Sequence, residues 1–79
     1  MANEFTYTVD GEPLETDKHE LTVRQILEGA GVNPAERYLI ELRGDEQVPL
    51  KNLDEEVHMH EHMKFITAFI GPVPVAWQS

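Results

Sequence analysis

Hydrophobic and polar residues alternate from the start of the chain. In EFTYTV, residues 4–9, Phe5, Tyr7 and Val9 point one way and Glu4, Thr6 and Thr8 the other. That period of two is the signature of a half-buried strand. Asp10-Gly11 follows, a hairpin signal because glycine tolerates positive φ. Pro13, just beyond, points to a turn longer than two residues. LETDK, residues 14–18, returns as a more polar strand whose charges suit an exposed edge. The period then changes. Val23, Ile26, Leu27 and Ala30 recur at helical spacing, and Thr22 with Gln25 three residues on forms a capping box. Gly29 and Gly31 stop the helix, and Asn33-Pro34 opposes a restart. A helix of two to three turns is marginal alone, so its apolar stripe must lie on a sheet.

RYLIELR, residues 37–43, reads as a third strand with Ile40 and Leu42 on one face and Leu39, Glu41 and Arg43 on the other. Gly44-Asp45 turns the chain into EQVPL, residues 46–50, a short strand because Pro49 cannot donate to a ladder. Leu53 and Val57 are isolated apolar anchors in a polar connection. KFITAFI, residues 64–70, is apolar on both faces, as a central strand should be. The order strand, strand, helix, strand, short strand, strand predicts an α+β fold. In it, a mixed sheet carries one helix packed across it. The first and last strands must be parallel neighbours if the helix crosses between them. The expected core is Phe5, Tyr7, Val9, Val23, Ile26, Leu27, Ile40, Leu42, Phe65 and Phe69. Lys64 sets the parity of the last strand: with Lys64 in water, Ile66, Ala68 and Ile70 share its side. Extended by Leu39, they form a candidate partner surface.

Composition narrows the function. The net charge is −9, and the six basic residues are scattered without a patch. Phosphate binding needs clustered positive charge, so nucleic acid is not an expected partner. An acidic domain of 41% hydrophobic residues suits a basic protein partner instead. Seventy-nine residues make one small domain with a modest core. No apolar run reaches the ~18 residues that cross a bilayer, and MANEFTYTVD does not read as a signal peptide. The expected location is the cytoplasm, with no membrane association.

The chain has no cysteine, and its single serine is Ser79. No Ser–His or Cys–His pair can therefore be built, and the chain does not read as an enzyme. His58, His60 and His62 stand at every second position, a spacing that suggests a metal site. On a strand of ~3.3 Å per residue, however, His58 and His62 lie roughly 13 Å apart, too far to share one zinc at ~2 Å per ligand. The histidines are read as a solvated loop with Val57 and Met59 or Met63 buried. Neither a metal nor a cofactor is expected.

This order and length resemble the β-grasp fold of ubiquitin. More narrowly, the chain resembles the prokaryotic ubiquitin-like proteins of the multiubiquitin type. The resemblance rests on Val9-Asp10-Gly11 in the hairpin, Thr22 to Gly31 in the helix and Tyr38 to Ile40 in the third strand. Asp54 to Val57 before the polar loop and Lys64-Phe65 in the last strand complete it. It covers residues 5–70 and implies an N-terminal tail at 1–3, a ubiquitin-like domain at 4–70 and an extended tail at 71–79. It also implies a bacterial protein modifier that is conjugated to targets. Its partners would be activating-type and conjugating-type enzymes and a deconjugating or processing protease, with a role in antiphage defence. The chain departs from ubiquitin at its end. It lacks a terminal Gly-Gly; Gly71 is followed by PVPVAWQS. Conjugation would then need cleavage between Gly71 and Pro72, or another chemistry. Pro72 and Pro74 keep the tail extended, so Val73, Val75 and Trp77 become candidates for docking in an enzyme groove. The alternatives are a non-covalent β-grasp interaction module with a docking tail, or a sulfur carrier.

Overall fold

The computed structural model of the chain describes residues 4–70. The first alternating segment forms strand β1, Phe5–Val9, and β2 follows at Glu12–Thr16. The turn between them has two residues, not more: Val9 pairs directly with Glu12. Asp10 and Gly11 both have positive φ, 53° and 85°, the type I′ geometry whose twist matches paired strands. Pro13 is accommodated by alternation. Val9–Glu12 closes the hairpin as a hydrogen-bonded pair, so Thr8–Pro13 is a non-bonded pair and the missing N–H faces the open edge.

A short β3, Glu20–Thr22, leads into helix α1, Val23–Gly29, about two turns and at the short end of the expected two to three. Both ends are built as the sequence implied. Thr22 Oγ1 accepts from the Gln25 amide at 3.1 Å, and Gln25 Oε1 accepts from the Thr22 amide at 2.9 Å. The next donors are taken by the loop beyond β5: Val23 N–H donates to the Glu55 carbonyl and Arg24 N–H to that of Leu53. At the other end, Gly31 (φ 76°) donates to Glu28 and Val32 to Leu27. This is the paired 5→2 and 6→1 closure of a Schellman motif.

Strand β4, Arg37–Arg43, turns through Gly44 into β5, Glu46–Leu50; β6 is Glu56–His58 and β7 is Met63–Phe69. The main sheet runs β2-β1-β7-β4-β5, with β7 at the centre, parallel to β1 and antiparallel to β4. Pro49 on the far edge obeys the same alternation as Pro13, opposite Ile40 at a non-bonded position. Strands β3 and β6, which the sequence pattern did not reveal, form a two-stranded ribbon. This is the α+β β-grasp arrangement.

The core lies between α1 and one face of the sheet. Val23, Ile26 and Leu27 of the helix are fully buried against Tyr7, Val9, Leu39, Leu50 and Phe65. Tyr7 and Phe65 meet edge to face at 6.1 Å, a geometry that adds to simple area burial. Three expected core residues sit elsewhere. The pairing of Leu39 with Thr67 and of Glu41 with Phe65 puts Leu39 and Glu41 on the helix face. Ile40 and Leu42 are therefore on the other face. Both faces of β4 are apolar, so composition could not set its parity; the register with β7 does. Phe69 shares the Phe65 face but is 64% exposed at the strand end. The Arg37 guanidinium, 4.2 Å from its ring centre, covers it in place of the helix.

Candidate functional site

The end of β7 is the point from which the remaining chain departs, and it is tied down from both sides. The parallel pairing with β1 ends at Val9–Phe65. Asp10 then continues it. Its amide donates to the Phe65 carbonyl at 2.9 Å, and its carboxylate accepts from the Thr67 amide at 2.9 Å and the Thr67 hydroxyl at 2.6 Å. A carboxylate receiving two donors makes shorter, stronger hydrogen bonds than a neutral acceptor. From the other side, Arg37 Nη1 donates to Thr67 Oγ1 at 3.1 Å, and the Ile70 amide donates to the Glu36 carbonyl at 2.9 Å. Thr67 is thus held between Asp10 and Arg37, and the direction of the strand end is fixed through Ile70. The residues expected to be processed or docked, Gly71, Pro72, Val73, Val75 and Trp77, lie outside the described residues.

The sheet face opposite the helix carries a stripe of apolar side chains. Lys64 is exposed, and the register places Ile66 and Ala68 on its side of β7, opposite Ile40 and Tyr38 of β4. Ile66 and Ala68 are half-buried and Ile70 is 49% exposed. The Lys51 ammonium stands 4.9 Å over the Tyr38 ring, a cation–π contact at the rim. Leu39, assigned to this surface from the sequence, is instead fully buried in the helix-side core. It belongs there because its pairing partners Thr67 and Leu50 face the helix. Ile40 lies on the stripe's side of β4 opposite Ile66, but at 8% exposure it backs the stripe from beneath. The signal that could have found Ile40 is pairing rather than composition, because it lies opposite Ile66.

The histidines do not form a line. Only His58 is on a strand, while His60 and His62 lie in the turn before β7, where His62 has φ 64°. Two of them tie this segment to distant parts of the chain. His58 Nδ1 lies 3.2 Å from Glu20 Oε2 across the ribbon, and the His62 amide donates to the Thr6 carbonyl at 2.7 Å. The distant His19 packs edge-on against Phe5 at 5.5 Å, and its carbonyl accepts from the Met59 amide. Among the described residues, no group of three or more His, Cys, Asp and Glu side chains is placed to hold a metal ion. Met59 is buried and Met63 half-buried.

A cleft of about 440 Å³ opens beside β6, with Leu50 and Val57 in its wall. Glu41, buried at 7% exposure, also lines it. Arg43 Nη2 donates to Glu41 Oε1 at 3.1 Å. That hydrogen bond, with the carboxylate's charge, raises the Arg43 pKa above its ordinary value. In the core proper, burial raises the Tyr7 phenol.

The hairpin, the capped helix, the central seventh strand and the loop between them occur in the order of one known family. The multiubiquitin family model matches residues 5–70. The chain belongs to the multiubiquitin family. It is a ubiquitin-like protein, and the match spans the whole β-grasp from Phe5 to Ile70. No curated protein matches the chain. Within this ubiquitin-like domain no helix of the described residues is long and apolar enough to cross a membrane.

Proposed function

We propose that this ubiquitin-like chain is a bacterial protein modifier without catalytic activity of its own, acting in the cytoplasm. It would be processed at Gly71 and joined to targets by activating-type and conjugating-type enzymes, and released by a deconjugating protease. A role in antiphage defence belongs to the same reading. The observation that carries it is the clamp on β7. Asp10 and Arg37 converge on Thr67, and Glu36 holds Ile70, so the strand end leaves the domain in a fixed direction. A modifier needs such a rigid root, because the enzyme must thread whatever follows into a narrow groove while gripping the folded domain. The exposed Phe69 and Ile70 offer that grip. Val73, Val75 and Trp77 would occupy the groove before cleavage. Glycine at position 71 suits close enzyme approach because it has no Cβ.

A non-covalent interaction module is the second reading, favoured by the apolar stripe of Ile66, Ala68 and Ile70 on the open face, backed by the buried Ile40. In the modifier reading, the same stripe is where partners recognise the attached domain. The test is co-expression with the neighbouring enzyme genes, followed by intact-mass measurement and gel analysis. The modifier reading expects a product ending at Gly71 and a ladder of conjugates, formed also by a version truncated after Gly71 without the protease. Conjugates that require Trp77-Gln78-Ser79, or that are unchanged by Gly71→Ala, would remove Gly71 as the attachment point. Full-length protein that binds partners without any mass change would favour the module.

A further inference from the structure

The open-face stripe and the segment that follows β7 belong to one strand and its continuation. Helix α1 and the core it buries lie on the opposite face, while Ile66 and Ala68 are half-buried and Ile70 is exposed on this one. Beyond Ile70 the sequence reads GPVPVAWQS, a run without one charged side chain in a protein of which 27% is charged. Val73, Val75 and Trp77 stand at alternate positions in it, so in an extended segment they share a side. Three constraints set where this run can go. β7 lies between β1 and β4, so its continuation has no free sheet edge beside it. On the helix side, the strand end is occupied by Phe69 under the Arg37 guanidinium. On the open side it meets the apolar stripe. Gly71-Pro72 is a dipeptide that marks a change of direction, and glycine has no Cβ to resist it. Reach is sufficient: Trp77 is six residues past Gly71, up to ~20 Å at ~3.3 Å each, against ~13 Å from Ile70 back to Ile66.

We propose that the open face is a docking surface for the chain's own tail. Val73 and Val75 would lie against Ile70 and Ala68, and Trp77 against Ile66 beside Lys64. Each tail residue then meets an apolar neighbour, and no charge is carried onto the stripe. The exposed Lys64 ammonium suits the indole, in the contact that Lys51 already makes with Tyr38 on this face. Because the segment is tethered to the strand it covers, docking costs loop closure rather than association, and that cost is small for so short a loop. The covered stripe is closed to other partners. A consequence, which rests on the modifier reading, is that cleavage after Gly71 would uncover Ile66, Ala68 and Ile70 as the new terminus forms. An unprocessed chain would then be hidden from the partners that recognise the attached domain. The contact itself does not depend on that reading.

Trp77 is the single tryptophan, so its fluorescence in the full-length chain reads the contact directly. The expected emission maximum lies at shorter wavelength than in the urea-unfolded chain, acrylamide quenches more slowly, and neither changes on dilution, as an intramolecular contact requires. Burying one large apolar side chain favours the packed form by roughly tenfold, so most molecules should show it. Ile70→Glu, at an exposed position, should move emission and quenching to the unfolded values while far-UV circular dichroism stays the same. ¹⁵N spectra give a second reading. Trp77→Ala and a chain ending at Gly71 should shift the same amides, those of Tyr38, Lys64, Ile66 and Ala68, and leave those of Val23, Ile26 and Leu27 in place. Emission and quenching equal to the unfolded chain, no response to Ile70→Glu, or Trp77→Ala shifts that miss the stripe or centre on Phe69 would each overturn the proposal. A signal that fades on dilution would overturn it too, by making a second copy the occupant. No measurement here involves a conjugating enzyme, so the proposal can fail while conjugation at Gly71 stands, and stand while conjugation fails.

Discussion

Leu39→Ala tests the register of the central strands, on which every surface assignment depends. Leu39 is fully buried among Leu27, Leu50, Phe65 and the other helix-side residues. Truncation removes three buried carbons, worth about 2.4 kcal/mol at ~0.8 kcal/mol each. A cavity term adds to this, and the total should be about 3–5 kcal/mol. A 79-residue domain is stable by only about 4–12 kcal/mol, so most of the margin would be lost. At about 4–8 °C per kcal/mol for a domain of this size, the melting temperature should fall by at least ~12 °C. The comparison is Ile66→Ala, on the other face and half-buried, which should cost only about 1 kcal/mol because much of its surface already meets water. Urea unfolding followed by far-UV circular dichroism measures both, with the m-value checked for constancy. Equal costs for the two variants, or a Leu39→Ala loss below about 1 kcal/mol, would refute the assignment of Leu39 to the core and reverse the open face.

The β7 clamp predicts that Asp10→Ala costs about 1–3 kcal/mol. It removes the acceptor for two Thr67 donors and leaves alanine at positive φ. Hydrogen exchange should then rise selectively at the Thr67 amide. Thr22→Ala should lose about 1 kcal/mol through the helix cap, measurable by the same urea titration, and Thr22→Ser should recover most of it. Tyr7 gives a pH test. Burial raises its pKa in the folded state above the ordinary 10.0. The folded state therefore holds the phenolic proton where the unfolded state releases it, and stability must fall as pH rises above about 10 toward the folded value. Tyr7→Phe should show a smaller loss of stability between pH 9 and about 11 than the unaltered protein; an identical slope would show that Tyr7 is not the coupled group.

Local chemistry was legible in the sequence wherever one short segment decided the outcome. The capping box of Thr22 and Gln25 formed as read because both partners lie within one helical turn. The Asp10-Gly11 hairpin formed because those two residues accept positive φ. The family, too, was legible, because it rests on the order of such local signals. The apolar run KFITAFI likewise marked the last strand as the central one of the sheet.

Parity and partnership were not legible. RYLIELR carries apolar residues on both faces, and only the pairing of β4 with β7 turned Leu39 inward and Ile40 outward. Pro13 suggested a longer turn until the ladder showed that its missing donor faced the open edge. The ribbon of β3 and β6 joins residues nearly forty positions apart, each segment too short to announce itself. The Asp10 carboxylate found Thr67 fifty-seven residues away, and Glu41 became a buried acid because its strand faced the helix. In each case the deciding energy comes from contacts between segments distant in the chain. A side chain's pattern fixes what it prefers, but its neighbours across the sheet decide which preference is met.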